Sequence, residues 1–210
     1  MKRLNREESR KRTRERLLKS AQEIFARDGF AGASIDRIAE LAGYSKGAVY
    51  SNFESKETLF LELLRDRMSD ELGELRQLLQ ERSSVAEILL ALRQRYSGLE
   101  KQVIWCLLST EFQLQAGRNP DFAGPFAELY RNQRHAIAEL VTMAAKREGA
   151  KLEWNAEELA TSLMALTHGI ALQRAADPVS VSADLAGKAI QLLLTASLKA
   201  KQMLSQVAKA

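Results

Sequence analysis

The sequence predicts an all-α protein of about nine helices, with an N-terminal three-helix helix-turn-helix unit and a larger helical domain behind it. Three observations carry this. Three prolines occur in 210 residues and 46% of residues are apolar, while the abundant Ala, Leu, Glu, Arg and Gln favour helix. Apolar residues recur at three- and four-residue spacing over long stretches, with no alternating strand pattern. The segment 34–56, SIDRIAELAGYSKGAVYSNFESK, sets two short helical patterns on either side of Gly43.

The first helix is expected over about Glu8–Asp28, with Leu17, Leu18, Ala21, Ile24 and Phe25 on one face and Gly29 at its end. Ser34 caps a helix over about Ile35–Ala42, whose Ile35, Ile38, Ala39 and Ala42 share a face. Gly43 stands where a helix stops on a left-handed residue. A very short third helix covers about Lys46–Ser51. Ser55 opens a fourth, striped by Leu59, Phe60, Leu63, Leu64, Met68, Leu72, Leu75 and Leu79 to about Gln80.

Ser84 and Glu87 form a capping box for a fifth helix ending near Glu100. The sixth runs from Val103 to Gly117, where Asn119-Pro120 breaks the chain. The seventh starts at Asp121, or after Gly124-Pro125, and ends at Gly149. Asn155 and Glu158 open the eighth, Asp177-Pro178 closes it, and the ninth is expected from Ser182 to about Val207. The domain boundary falls after residue 56, giving domains 1–56 and 57–210.

Charge is unevenly placed. Residues 1–60 hold 13 Lys/Arg against 9 Asp/Glu, and residues 61–210 hold 18 against 18, so the formal net charge of +4 belongs to the first 60 residues. Nine basic and three acidic residues fall in 1–20. A basic arm leading into a helix-turn-helix is an electrostatic footprint for phosphate.

No apolar run reaches the length of a membrane span and the N-terminus is charged, so no signal peptide or membrane helix is expected, and the cytoplasm is the default compartment. The lone Cys106, in VIWCLLS, is expected to be a buried small hydrophobe. Two histidines and one cysteine, with no Ser/His/Asp, Cys/His or Gly-rich phosphate signature, argue against a metal, a cofactor or an enzyme.

The order of a long helix, a short helix, GYSKGAVYSNF and then SKETLF resembles the tetracycline-repressor (TetR) family of transcriptional regulators. The resemblance spans about Arg14–Leu64 and rests on Phe25, Gly29, Phe30, Ser34, Ile38, Ala39, Ala42, Gly43, Lys46, Gly47, Tyr50, Phe53, Lys56 and Leu59. It implies a homodimer with a DNA-binding domain and a helical domain for ligand and dimerisation, most often a repressor released by ligand.

A recognition helix meets base edges with its N-terminal residues, here Ser45, Lys46, Gly47 and Ala48. Lys46 can donate to guanine O6/N7 or to phosphate, Gly47 permits close approach, and Ala48 suits a thymine methyl. Many members carry Thr where Ala48 stands, so one hydrogen-bonding option is missing. Tyr50 and Ser51 suit phosphate oxygens. Ser34, with the amide end of its helix, offers an anion site that Arg37 can reach. Lys56 resembles the family's phosphate-clamping lysine, and Lys11, Arg12 and Arg14 of the arm can lie along the backbone or enter a minor groove.

An effector pocket needs a few polar groups among apolar ones. Candidates are Tyr96, Trp105, Phe112, Phe122, Phe126, Tyr130, Met143, Trp154, Met164 and His168, each with a plain core role as the alternative. The eighth and ninth helices resemble the family's dimerisation pair, through Leu159, Leu163, Leu166, Leu172, Leu185, Ile190, Leu193, Leu194, Leu198 and Met203. Two-fold symmetry implies an inverted-repeat operator on double-stranded DNA.

The function expected is a homodimeric repressor released from its operator by a small, largely apolar ligand. An activator, or a regulator of the same fold answering to a protein partner, is the alternative. A helical carrier or enzyme with a basic arm ranks last.

Overall fold

The computed structural model describes residues 6–82, 84–97, 100–147 and 149–199. Helices are α1 (Arg6–Gly32), α2 (Ile35–Ala42), α3 (Lys46–Tyr50), α4 (Lys56–Glu81), α5 (Val85–Arg95), α6 (Glu100–Ala116), α7 (Pro120–Arg147), α8 (Ala156–Ala176) and α9 (Leu185–Ser197), with two-residue strands β1 (Lys151–Leu152) and β2 (Leu198–Lys199). The described chain is all-α apart from that antiparallel strand pair.

Packing divides the chain into two units: Met1–Arg67 with Leu107–Ala127, and Met68–Cys106 with Glu128–Ala210. The boundary expected after residue 56 thus moves into α4, and a stretch of α6 and α7 joins the N-terminal unit. Aromatic packing is the reason. Phe25 of α1 and Phe30 meet Phe60 of α4, each at 5.2 Å between centroids. Phe112 of α6 lies 4.9 Å from Phe60 and 5.0 Å from Phe30, and Phe126 of α7 follows at 5.4 Å from Phe112. A three-helix unit ending at residue 56 would leave this apolar surface uncovered.

The end of α1 depends on a glycine. Gly29 has φ 74° and ψ 174°, a conformation essentially reserved for glycine. The chain leaves its helical path there, as its position in the sequence predicts. Both carboxylate oxygens of Glu111, from α6, accept backbone N–H groups just beyond it, those of Phe30 and Ala31, each at 2.7 Å. A Cβ on Gly29 would sit 3.0 Å from Glu111 Oε2. The carboxylate supplies these amides with charge-assisted acceptors where the chain leaves its helical path.

In the second unit α9 packs against α5 and α8. The core holds Tyr96, Leu159, Leu163, Ala186, Ile190 and Leu194. Gly187 lets α9 approach α5 closely, since a Cβ there would fall 2.3 Å from the Arg93 carbonyl oxygen. Tyr96 donates its hydroxyl to Glu71 at 2.9 Å, and burial pushes the phenol's pKa well above its usual value.

Several helix ends differ from expectation. α5 stops at Arg95, with Tyr96 as C-cap. α7 starts at Pro120, where Asn119 Oδ1 accepts the Asp121 N–H at 3.1 Å, and it continues through Pro125. α9 begins at Leu185 rather than Ser182 and ends at Ser197, because Leu198 turns extended to pair with Leu152. Cys106 is only half-buried.

Candidate nucleic-acid interface

The helix-turn-helix is built from local signals. Ser34 caps α2, its Oγ accepting the Arg37 N–H at 3.3 Å. Ile35, Ile38, Ala39 and Ala42 turn inward and are buried. Gly43, at φ 75° and ψ 33°, closes the helix in the left-handed region. Ser45 then caps α3, accepting the Ala48 N–H at 3.2 Å. Val49 and Phe53 anchor this short helix in the core.

Anchoring on that side leaves the other outward. Ser45, Lys46, Gly47, Tyr50 and Ser51 are exposed, and Ala48 is half-exposed. A Cβ on Gly47 would meet nothing nearer than Ser45 Oγ at 3.8 Å. The fold itself therefore has room for a side chain at 47. Ser51 donates to the Ala48 carbonyl at 2.8 Å.

The cations divide by what they hold. Lys46 Nζ lies 2.9 Å from Asp36 Oδ2, with both side chains more than half exposed. The hydrogen bond and charge of Asp36 raise the lysine's pKa. Arg37 reaches Asp28 at 2.8 Å. Asp28 is also bonded to Arg27, and that hydrogen bond first, with the nearby positive charges, lowers its pKa. Lys11 and Arg12 stand exposed on α1.

Two cations expected at phosphate are half-buried and hold partners within the chain. Arg14 donates to the Asn52 carbonyl at 2.7 Å, pairs with Glu62 and lies 4.3 Å from the centre of the Phe53 ring. Lys56 Nζ donates to the carbonyls of Phe30 at 2.9 Å and Ala33 at 3.1 Å, and sits over the Phe30 ring at 4.6 Å. The chain reversal at Gly29 strands these carbonyls, and a single ammonium satisfies them. Nor do Lys11, Arg12 and Arg14 form an arm, because all three are in α1. Tyr44 and Glu111 escaped the sequence reading. Tyr44 accepts from Thr13 at 3.4 Å with Arg16 over its ring, and only the turn position of Tyr44 hinted at it.

The pocket candidates scatter. Phe112 and Phe126 are core of the first unit. Phe122 lines an open cleft of about 480 Å³ with Leu61, Pro125, Glu54, Glu62 and Asp121. Met143 and Trp154 are exposed by 57% and 47%, because Met143 faces out of α7 and Trp154 precedes α8. Tyr96 is buried, whereas Trp105, Tyr130, Met164 and His168 are half-buried. Burial lowers the His168 pKa.

Among the interface candidates, Leu159, Leu163, Ile190 and Leu194 are buried within their own unit, so intramolecular packing already consumes them. Leu166, Leu172, Leu193 and Leu198 are half-buried and Leu185 is exposed. Met203 lies outside the described residues. Leu192 of α9 is 72% exposed.

A capped helix, a left-handed glycine and a short second helix with an outward N-terminal end define a helix-turn-helix regulatory protein. The family described as "Bacterial regulatory proteins, tetR family" matches residues 17–63, and, with the match over the second unit, the chain belongs to it. Residues 86–199 match "BetI-type transcriptional repressor, C-terminal".

Among curated relatives, the repressor AcnR of Corynebacterium diphtheriae is 39% identical over 64 residues, 29% of this chain and 34% of that protein. The chain thus spans about a third of the first such relatives. UidR of Escherichia coli K12 is 24% identical over 177 residues, 83% of this chain and 87% of that regulator. A regulator from Saccharomonospora viridis in complex with choline superposes with TM-score 0.70 at 23% identity, covering 90% and 98% of the two chains. FadR from Bacillus subtilis in complex with stearoyl-CoA gives 0.69 at 16%, covering 88% and 99%. These structures share the fold. Among the described residues no helix is long and apolar enough to cross a membrane.

Proposed function

We propose that the protein is a homodimeric repressor that leaves an inverted-repeat operator when a small, largely apolar molecule binds its second unit. The observation that carries this is the exposed N-terminal end of α3, Ser45–Gly47 with the half-exposed Ala48, held outward by Val49 and Phe53. Lys46 would read bases, Gly47 would allow backbone approach, and Ser34, Arg37, Tyr50, Ser51, Lys11 and Arg12 would meet the DNA backbone.

Dimerisation is supported by an exposed or half-exposed apolar row on each of two neighbouring helices. On α8 it is Ala165, Gly169, Leu172 and Ala176, and on α9 Leu185, Ala189, Leu192 and Ala196. Both rows follow the spacing of one helix face. A second copy would cover them by a two-fold, isologous contact. The BetI-type match and the choline and stearoyl-CoA complexes of two structural neighbours support a small-molecule effector. Trp105, Tyr130, Met164 and His168 are its proposed contacts, half-buried as an adjustable pocket wall would be.

Selection of duplexes from a randomised pool by the wild-type protein tests this. The expected product is an inverted repeat with half-sites about one helical turn, or a multiple of it, apart. A pool that stays random after repeated rounds at moderate salt refutes it.

A further inference from the structure

Resting on the DNA-binding function proposed above, we propose that Asp36 is a specificity-determining residue that holds Lys46 for base readout and withholds it from phosphate. Asp36 lies in the first turn of α2 and Lys46 opens α3, on opposite sides of the Gly43 turn. Their 2.9 Å ion pair ties the two helices together at the surface. Arg37, the cation next to Asp36 in sequence, is engaged by Asp28 at 2.8 Å and does not compete for it.

The chemistry follows from what a lysine does alone. An ammonium on a four-carbon stem is a mobile point charge that takes whichever phosphate is near. Bound to Asp36, it keeps two N–H groups for a partner but loses its reach. The pair also carries no net charge, so it gains little from neutralising a phosphate and releasing counterions. Base-edge acceptors at the end of α3 can still take the two remaining N–H groups. Asp36 therefore weakens attraction to any duplex while preserving recognition of the right one. A carboxylate in the first turn of α2 also lowers that turn's own appeal to phosphate.

The test compares wild type, Asp36→Asn, Lys46→Ala and the double variant. Each is titrated across a salt series against the duplex selected from the randomised pool and a scrambled duplex of equal length and composition. Asp36→Asn keeps the side-chain volume, and an unchanged circular-dichroism melt verifies the fold.

We expect Asp36→Asn to bind the scrambled duplex about two- to fivefold more tightly, the range of an exposed ion pair. Its salt slope on that duplex should steepen by about 0.9, one added phosphate contact. Affinity for the selected duplex should not rise, so the specificity ratio falls. In the Lys46→Ala background Asp36→Asn should have no effect. Equal gains on both duplexes, no change on either, or a gain that persists without Lys46 would each overturn the role of Asp36 while leaving the DNA-binding function intact. Failure to select any duplex would instead overturn that function.

Discussion

Two regions of the N-terminal unit use charge in opposite ways. Around α2 and α3, Lys46 pairs with the exposed Asp36 and Arg37 with the largely covered Asp28, each cation keeping about half of its side chain in solvent. Around the chain reversal at Gly29, Lys56 and Glu111 hold backbone groups, the ammonium on carbonyls and the carboxylate on amides. Lys46 and Lys56 look alike in the sequence, each beside a serine at the start of a helix. What separates them is their partner. A carboxylate in water loses little when its lysine leaves, whereas carbonyls stranded at a helix end lose their donor.

The comparison can be broken first at Gly29. Gly29→Ala forces a side chain into a backbone region reserved for glycine and pushes its Cβ at Glu111. A stability loss on the order of 3 kcal/mol is expected, read as a lower midpoint in urea. A variant as stable as wild type would mean that the reversal has other ways to close.

Lys56→Ala is expected to cost about 2 kcal/mol of stability, as charged hydrogen bonds to the reversal are lost. Its DNA affinity, measured on the fraction still folded, should change far less than its melting midpoint. A stable variant with a large affinity loss would return Lys56 to phosphate binding.

Lys46→Ala should show the reverse. Thermal stability stays at wild type, while affinity for the selected duplex falls roughly five- to a hundredfold, the scale of one base contact. Equal loss on the scrambled duplex would assign Lys46 to phosphate.

The smallest effect concerns acid. Arg27, with Arg37, holds the Asp28 carboxyl below its usual 3.8. Its contribution to stability is present above that value and disappears as pH falls through the lowered one. Asp28→Asn should lose this contribution at neutral pH and show a slightly shallower acid limb of the melting-midpoint profile. The two profiles should converge at the acid end.

The helix-turn-helix was legible because its signals are local. Ser34, Gly43 and Ser45 act on their own neighbouring backbone, and Ile35, Ile38 and Ala42, like Val49 and Phe53, fall at helical spacing. Most of α1 to α8 was legible for the same reason. What escaped depends on residues far apart in the chain. Glu111 meets Phe30 across 81 positions, and Arg14 meets Glu62 across 48. Phe112 and Phe126 read equally well as pocket or core, and only their contact with Phe60 and Phe30 separates the two. The close approach at Gly187 has no local signature either, since its φ is ordinary and the constraint is the Arg93 carbonyl.

By itself, then, the sequence determined the all-α class, the caps and turns of α2 and α3, the uneven charge and the family likeness. The first three follow from propensity, spacing or composition along the chain, and the likeness rests on the motif residues between Arg14 and Leu64. Only the tertiary structure decided which cations bind carboxylates and which bind carbonyls, where the packing units divide and which leucines of α9 are left outward. Those outcomes depend on which distant groups occupy the same space, because a charge or an apolar face already satisfied within the chain has less to offer a partner.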